Sequence, residues 1–215
     1  MSLSSERCAR YRHGQLQSLL SSIRSDIRRF MTKSPENLAA PDDWVHRVSA
    51  FLTPEILAQT LYRTAHFLYV EGYFRMAALL TRLNSFVHKI NIPPQSCIGP
   101  GLHIPHPCGV TFCGSAGEAL TLYSLATCGA GSDYADGPLN QAPTLGDRVI
   151  SGAHQAIMGP IRVGDDAILG VGCSRISEDV PAGVLVYPRQ ARVFLPKPIL
   201  LEDFQRNRGD DNQSC

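Results

Sequence analysis

The chain has 215 residues, enough for one sizeable domain or two small ones with a buried core. Its 20 Lys and Arg residues nearly balance its 19 Asp and Glu residues, so it lacks the basic surface that binds nucleic acid or anionic membranes. No apolar run approaches the roughly 20 residues of a membrane span, and the Arg-rich beginning lacks the apolar stretch of a signal peptide, so we expect a soluble, cytoplasmic protein.

Residues 1–90 are predicted to form a helical domain. Between residues 15 and 31, apolar side chains recur at steps of three and four, which places them on one face of a helix. A second helix is predicted from Trp44 to Phe51, and Thr53-Pro54 opens a third. The predicted inner face of this third helix consists of Leu57, Leu61, Ala65 and Leu68. After Gly72, a fourth helix is predicted to end at about residue 90.

From residue 91 onwards a six-residue repeat replaces the helical period. Mostly apolar residues follow one another at steps of six in two series. They are Ile92, Ile98, Ile104, Val110, Ala116, Leu122 and Cys128, and then Leu145, Ser151, Ile157, Val163, Leu169 and Arg175. Such repeats each form a short strand and a corner, and stacked coils of repeats bury the aliphatic column. Ser151 and Arg175 interrupt the column, and we expect Arg175 to lie in the last coil near solvent.

The predicted fold class is therefore α+β, with an N-terminal helical domain followed by a parallel β-helix of hexapeptide repeats over residues 91–200. The two series are 17 residues apart, so an 11-residue excursion leaves the coil. This loop, residues 129–144, is rich in Gly, Asp, Asn and Pro and is predicted to project. Loops on a rigid scaffold commonly line a site. Residues 201–215 are polar and aperiodic, which predicts a disordered tail.

The order of these features resembles the serine acetyltransferase family of hexapeptide-repeat acyltransferases. The resemblance covers roughly residues 55 to 193, with the segments NIPPQSCIGPGLHIPHPCGV, LGDRVISGAHQAIMGPIRVGDDAILGVG and DVPAG on either side of and after the loop. It implies a left-handed β-helix that associates as homotrimers, and two trimers are often joined through the N-terminal helices. It also implies an enzyme that moves an acetyl or other acyl group from acetyl-CoA or another acyl-CoA to a hydroxyl.

His106 is the candidate general base. In the family, the histidine after the IGPG turn has this role, and it corresponds to His106. An alcohol that attacks a thioester must lose its proton, and an imidazole with an ordinary pKa of about 6.5 suits that task. Asn91 corresponds to the acidic residue that orients the imidazole in the family. Because Asn accepts a hydrogen bond but carries no charge to stabilise an imidazolium, we expect a weak base if Asn91 is the only partner.

The resemblance also predicts where the acyl-CoA binds. Positions that match the family's coenzyme contacts in the later coils are Gly152, Ala153, Gly170 and Val171. These residues are small enough for close backbone approach. Small residues also occur at coil corners without any ligand, so the spacing by itself does not establish the site.

The acceptor side differs from the family pattern. The Arg-His pair that holds the amino-acid substrate in the family corresponds to Gln141 and Ala142, so free serine would lose its carboxylate clamp. Asp133, Tyr134 and Asp136 are candidates for contact with a small-molecule hydroxyl acceptor, or they only solvate the loop. A sugar or a carrier-bound hydroxyl, in a polysaccharide or secondary-metabolite pathway, is an alternative acceptor.

Further alternatives are open. The chain is an active O-acyltransferase or a non-catalytic partner that kept the trimeric solenoid. Cys108 or Cys113, near His106, would be a nucleophile as a thiolate. His103 and His106 are candidate metal ligands, but no third donor has a suitable spacing, so no metal is expected. Free CoA and an acyl or peptidyl carrier protein present the same phosphopantetheine arm, so either is a candidate donor.

Overall fold

The structure is a computed structural model that describes residues 11, 13–33, 52–130, 142–173, 176 and 178–187. Within these ranges, three helices precede eleven short strands. The helices are α1 Leu16–Lys33, α2 Pro54–Val70 and α3 Phe74–His88. The strands are β1 Cys97–Ile98, β2 Thr111–Phe112, β3 Ser115–Ala116, β4 Thr121–Leu122, β5 Thr127–Gly129, β6 Thr144–Leu145, β7 Ile150–Ser151, β8 Ala156–Met158, β9 Arg162–Val163, β10 Ile168–Leu169 and β11 Leu185–Val186. The predicted helix Trp44–Phe51 lies outside the described residues.

The strands form three parallel sheets. Sheet 1 has the order β1-β3-β6-β9, sheet 2 the order β4-β7-β10-β11 and sheet 3 the order β2-β5-β8. Single bridges extend two of them, since His103 pairs with Thr121 in sheet 2 and Asn91 pairs with Thr111 in sheet 3. The chain visits sheets 1, 2 and 3 in turn before it begins the next coil. This arrangement is the predicted parallel β-helix, with a first corner between sheets 1 and 2, a second between sheets 2 and 3, and a third between sheets 3 and 1.

The core of the β-helix is one aliphatic column for each sheet. Every described member of the two predicted series has a relative exposure of 3% or less. Ser151, which interrupts the column, is buried as well, and its hydroxyl pairs with the amide of the buried Gln155. The amide oxygen of Gln155 accepts hydrogen bonds from the backbone of Ala156 and Ile157 at 3.1 and 2.8 Å. The two polar side chains therefore satisfy each other inside the column, whereas Arg175 lies outside the described residues.

The six-residue spacing fails at one point. Phe112, and not Val110, lies in register with Cys128 in sheet 3. Eight residues separate the bridge position His103 from Thr111, whereas six separate Thr121 from Thr127 in the next coil. The second corner of the first coil is therefore two residues longer than its neighbour, and we call residues 105–110 the extended corner.

The third corner of the same coil is correspondingly short. Ile98 pairs with Ala116, so the coil still contains 18 residues. Gly114 lies in the shortened corner with φ 151°, and a Cβ there would lie 2.4 Å from the carbonyl oxygen of Pro143. Only glycine fits such a contact, because a side chain would force the next coil away.

Polar side chains of α1 and α2 cover the open end of the β-helix. The predicted inner face of α2 is wrong, since Leu57 is 40% exposed and the buried face instead includes Gln59, Tyr62, Arg63 and His66. The first coil has no full coil before it, so many of its backbone groups lack a strand partner. Polar residues on the helices supply partners for these groups, which explains why a polar face is buried.

Four residues form this polar cap: Asp26, Gln59, Tyr62 and Arg63. Arg63 donates to the carbonyl oxygens of Ile98 and Gly99. Asp26 accepts a hydrogen bond from the Leu102 amide at 2.7 Å, and the Tyr62 hydroxyl donates to the Ser96 carbonyl at 2.9 Å. With its amide oriented to match donors to acceptors, Gln59 bridges the Leu102 carbonyl and the Ile104 amide. The cap thus replaces a missing coil.

Several corners place a residue other than glycine in the left-handed region of backbone space. These residues are Ala119, Leu125, Arg148, His154 and Asp166, with φ between 56° and 60°. Arg148 and Asp166 occupy the first corners of successive coils and form an exposed ion pair at 2.6 Å. No helix in the described ranges is both long and apolar enough to cross a membrane.

Candidate functional site

His106 lies on the extended corner and is exposed to solvent. The two additional residues of this corner displace the chain from the regular path of the coil, so the imidazole is not packed into the core. The neighbouring coil makes the same corner with Tyr123–Ala126 and no comparable extension. The placement leaves His106 accessible to a molecule that binds along this edge.

The extended corner is held by short-range contacts. The Cys108 amide donates to the His106 carbonyl at 2.8 Å, and Gly109 adopts φ 65° to complete the turn. Pro105 and Pro107 restrict the backbone on both sides of His106. The Leu125 amide donates to the Cys108 carbonyl at 2.9 Å, which joins the corner to the next coil. His106 therefore projects from a support with little conformational freedom.

The helices hold the chain just before this corner. Asp26 and Arg63 form a buried ion pair at 2.9 Å, each with a side-chain exposure of 3%. Arg29 donates to the Leu120 carbonyl and to the Thr121 hydroxyl, both at 2.8 Å. Sequence reasoning missed these three residues, because charged side chains on predicted helices usually face solvent. Their position on the same helical faces as apolar residues was the one available signal.

His103, the second histidine of HIPHPCGV, has a different environment from His106. It is 6% exposed, and its ring lies 6.5 Å from that of Phe30. Burial lowers the pKa of His103 to about 4, and the nearby charges of Arg29, Lys33 and His106 act in the same direction. His103 is therefore neutral near pH 7 and faces α1. Within the described residues, neither His103 nor His106 belongs to a cluster of three potential metal ligands.

Asn91 lies at the open end of sheet 3. Its amide donates to the Val110 carbonyl at 2.8 Å, and its carbonyl accepts from the Phe112 amide at 3.0 Å. These contacts place Asn91 beside the end of the extended corner that carries His106. The side chain of Asn91 is exposed.

The predicted acyl-CoA positions lie on the same edge as His106. Gly152 and Ala153 follow β7 in the third coil, and Gly170 and Val171 follow β10 in the fourth coil. Backbone hydrogen bonds connect this edge from coil to coil, since the His154 amide donates to the Ser124 carbonyl at 3.1 Å and the Gly172 amide to the Ala153 carbonyl at 2.8 Å. The second corners of four coils thus form one continuous edge.

Packing between coils accounts for the glycines on this edge without a ligand. A Cβ on Gly152 would lie 2.6 Å from the Leu169 carbonyl oxygen, and a Cβ on Gly170 would lie 2.9 Å from the Val186 carbonyl oxygen. Both glycines are therefore needed for the coils to stack. The common edge with His106, rather than the glycines themselves, is what relates these positions to a ligand. Val171 is 65% exposed on that edge.

The candidate acceptor residues Asp133, Tyr134, Asp136 and Gln141 lie outside the described residues. The described chain leaves sheet 3 after β5 and returns in sheet 1 at β6, so the excursion departs from the third corner. His106 is on the second corner of the same protomer. Sheet 3 separates these two edges.

The cysteines near His106 differ in exposure. Cys108 is exposed on the extended corner, whereas Cys113 is half-buried behind it. Burial raises the pKa of the Cys113 thiol, so this residue is a thiol at neutral pH and a poor nucleophile. Within the described chain, this leaves Cys108 as the one cysteine exposed beside the imidazole.

A cavity of about 450 Å³ lies elsewhere on the β-helix. It is lined by first-corner residues of the later coils, among them Gly146, Asp165 and Ala182. The first and second corners are different edges of the prism, so this cavity does not include His106. It has no residue in common with the predicted site.

The sequence and the structure were compared with known proteins. No family model matches the sequence. The chain is 35% identical over 161 residues to a serine acetyltransferase of Helicobacter pylori, an alignment that covers 74% of this chain and 90% of the relative. It is 31% identical over 170 residues to the serine acetyltransferase of Mycobacterium tuberculosis, with 78% and 70% covered.

Solved structures give the same result. Serine acetyltransferase isoform 3 of Entamoeba histolytica, in complex with cysteine, superposes with a TM-score of 0.73 and 25% identity, and covers 94% of this chain and 69% of that one. The serine acetyltransferase of Neisseria gonorrhoeae superposes with a TM-score of 0.71 at 24% identity, with 82% and 66% covered, and shows the shared fold.

Proposed function

Because this chain belongs to the serine acetyltransferase family, we propose that it is a CoA-dependent O-acetyltransferase in which His106 is the general base. The observation that supports this assignment most is the position of His106. It is exposed on a rigid, extended corner at one end of the edge formed by the later second corners. A base in this position is accessible to both a thioester and an alcohol.

His106 would accept the hydroxyl proton as the alcohol oxygen attacks the thioester carbonyl. A new C–O bond forms, and the carbonyl oxygen takes the negative charge. Backbone N–H groups at the corners are candidate donors to that oxyanion. Collapse of the tetrahedral intermediate breaks the C–S bond, and the imidazolium returns its proton to the departing thiolate. The products are an O-acyl ester and CoA, and His106 is regenerated.

Asn91 is proposed to orient His106 through a hydrogen bond from the ring. Its backbone contacts with Val110 and Phe112 place it beside the extended corner, and its exposed side chain has room to turn. Because an amide carries no charge, the imidazolium gains less stabilisation than a carboxylate would provide. A modest turnover number is therefore part of the proposal.

The acyl-CoA is proposed to lie along the second-corner edge, against Gly152, Ala153, Gly170 and Val171. Neighbouring coils are about 4.8 Å apart, so these corners lie roughly 10 and 14 Å from the coil of His106 when measured along the stack. An extended pantetheine arm parallel to the stack would connect the two regions. The exposed Val171 side chain is an apolar contact for that arm.

We propose that the acceptor is a small molecule with a hydroxyl group, and that the excursion selects it through Asp133, Tyr134, Asp136 and Gln141. The named relatives are serine acetyltransferases, which makes L-serine the first acceptor to test. Gln141 replaces a charged clamp with an amide, which favours an acceptor without a free carboxylate. A sugar or a carrier-bound hydroxyl fits that condition.

A homotrimer is proposed as the active assembly. In one protomer, His106 and the base of the excursion lie on different edges, and a trimer that brings the edges of neighbours together would unite them. The helical unit also exposes apolar surface suited to association, including Leu79, Leu83, Phe86 and Val87 on one side of α3. Light scattering of the purified full chain would give the subunit number, and a monomer that is fully active would contradict this part of the proposal.

The experiment that tests the function is release of free thiol from acetyl-CoA by the full chain. L-serine, O-substituted serine derivatives and simple sugars would be supplied in turn, with acyl-CoA of longer chains as a second series. We expect acceptor-dependent thiol release in the cytoplasmic pH range. Calorimetry with acetyl-CoA provides the independent measurement. A chain that binds no acetyl-CoA and releases no thiol with any acceptor would instead be a non-catalytic partner.

A further inference from the structure

A cluster of potential metal ligands lies where the N-terminal segment, α2 and the first coil meet. It consists of His13, before α1, His66, on α2, and Cys97, on β1. All three are buried, with exposures of 6%, 4% and 0%. One ligand atom from each residue lies within 4.8 Å of the others. Among the described residues, this is the group of three that could hold a metal ion.

The distances are close to those of a zinc site. The Nδ1 atom of His13 lies 2.7 Å from Nε2 of His66 and 3.8 Å from Sγ of Cys97. Zinc bonds of about 2.0 Å to nitrogen and 2.3 Å to sulfur separate tetrahedral ligands by roughly 3.3 to 3.6 Å. The cluster therefore needs the two imidazoles to part by well under 1 Å, roughly half an ångström. Two imidazoles and a thiolate are ligands that zinc prefers.

The surroundings orient one imidazole for metal binding. Nδ1 of His66 lies 2.7 Å from the Pro94 carbonyl oxygen, so it carries the proton and donates it. Nε2 of His66 then presents a lone pair to the cluster. A metal-bound histidine usually has this arrangement, with its second nitrogen bonded to a carbonyl or carboxylate.

The second imidazole has an incomplete set of contacts. Nε2 of His13 is buried and has no hydrogen-bond partner in the described structure. Burial lowers the pKa of His13 to about 3 and that of His66 to about 4, so both rings are neutral at pH 7, as ligation requires. A buried polar atom without a partner is costly, and such sites commonly have a ligand or function.

Cys97 is disulfide-bonded in this structure. The other cysteines of the described chain, Cys108, Cys113, Cys128 and Cys173, are free. A dithiol reductant would transfer two electrons and two protons to the disulfide and give two thiols. The Cys97 thiol would lose its proton to solvent when it binds a metal, as zinc ligation requires. The disulfide and the metal are thus alternative states of the same sulfur.

We propose that the reduced protein binds one zinc ion through His13, His66 and Cys97. The ion would join the N-terminal segment to α2 and to the first coil, beside the polar cap, and so stabilise the helices on the β-helix. The sequence contains a further thiol, Cys8, five residues before His13, and four-coordinate zinc would accept it as the last ligand. The sequence analysis expected no metal, because His13 is 53 residues from His66 and 84 from Cys97.

The test uses the full chain, reduced and stripped of metal, titrated with Zn²⁺ against a chromophoric chelator. We expect one tight site for each chain, and its loss in Cys97→Ser and in His13→Gln. Cys113→Ser is the matched control, since it removes a partly buried thiol outside the cluster and should leave zinc uptake unchanged. The protein oxidised to the disulfide form should bind no zinc at this site.

Cobalt provides a second readout that does not depend on the variants folding. Co²⁺ bound by the reduced wild-type chain should give the intense visible bands of a tetrahedral ion and a thiolate charge-transfer band in the near ultraviolet. The proposal is overturned if the reduced wild type shows no thiolate band, or if it takes up no more zinc than folded Cys97→Ser. Neither measurement involves acetyl-CoA, so the result is independent of the proposed acetyltransferase activity.

Discussion

Phe112 lies directly beside Cys128 in sheet 3. This register gives the second corner of the first coil two residues more than that of the next coil, and those residues include the support of His106. A regular corner at this point would have left no room for the Pro-His-Pro turn. The length of one corner therefore determines whether the imidazole is exposed.

Replacement of His106 tests its assignment as the base. We expect His106→Asn to reduce kcat for thiol release by about 10²- to 10⁴-fold, with little change in the Kd of acetyl-CoA because the second-corner edge is intact. Steady-state kinetics and calorimetry on the same protein provide both numbers. Arg148→Ala, on the exposed first corner, is the control and should keep full activity. Equal turnover in His106→Asn and wild type would remove His106 from the mechanism.

The ion pair between Asp26 and Arg63 should be essential for stability. Both side chains are 3% exposed, so Arg63→Met leaves a buried carboxylate without its partner and should lower the free energy of unfolding by about 3 to 5 kcal/mol. Urea denaturation at pH 7 measures this change. The double variant Asp26→Leu/Arg63→Met should recover part of the loss. Equal stability of wild type and Arg63→Met would show that the polar cap is unnecessary.

The buried pair of Ser151 and Gln155 should contribute through hydrogen bonding. Ser151→Ala removes a hydroxyl from a fully buried position and leaves the Gln155 amide nitrogen without a partner. We expect a loss of about 1 to 3 kcal/mol in the free energy of unfolding. Ser21→Ala is the control, since that exposed hydroxyl bonds only to the Ser18 carbonyl of its own helix. An unchanged denaturation midpoint in Ser151→Ala would contradict the proposed pairing.

His103 should make the stability depend on pH. Its pKa is about 4 in the folded protein against an ordinary value of 6.5, because burial disfavours the charged ring and Arg29, Lys33 and His106 add positive charge. The unfolded chain therefore binds a proton that the folded chain does not, and stability falls as the pH decreases from about 6.5 to about 4.

The variant His103→Gln should reduce that fall. Denaturation curves at pH 7 and pH 5 measure the difference, and other buried histidines should retain part of it. His154→Gln, at an exposed corner, should behave as wild type. A difference as large in His103→Gln as in wild type would show that His103 does not contribute.

The ion pair between Arg148 and Asp166 should matter little. Both side chains are more than half exposed, and exposed pairs are screened by solvent and salt. We expect Arg148→Ala to leave the thermal midpoint unchanged within error in 0.15 M salt, which is about the physiological ionic strength. Differential scanning calorimetry tests this, and a clear decrease would show that the pair organises the first corner.

The sequence predicted the β-helix because its signal repeats. Each aliphatic position from Ile98 to Leu169 has equivalents in neighbouring coils, so one irregular residue does not hide the period. The extended corner was missed since Val110 is also apolar and the coil keeps 18 residues. Pairing between strands, which the count of residues does not contain, decides whether Val110 or Phe112 enters the column.

The helices were predicted less well in detail than in extent. Helices α2 and α3 end within a few residues of their predicted limits, but the buried face of α2 is polar. Periodicity assigns the inner face to leucines, because burial of apolar surface usually dominates. Here the partner is an open edge of backbone groups, and Arg63 and Gln59 satisfy it better than leucine would. A single sequence gives no sign of that edge.

The left-handed corners give the protein scope for engineering. Ala119 and Leu125 hold φ near 57° and 60° with a Cβ present, a conformation that costs an L-residue about 1 kcal/mol or more. Glycine has no such penalty, although the greater freedom of its unfolded chain offsets part of the gain. Substitution at these sites would relieve local strain in a scaffold whose working edge is elsewhere, which makes them natural starting points for a more heat-resistant variant.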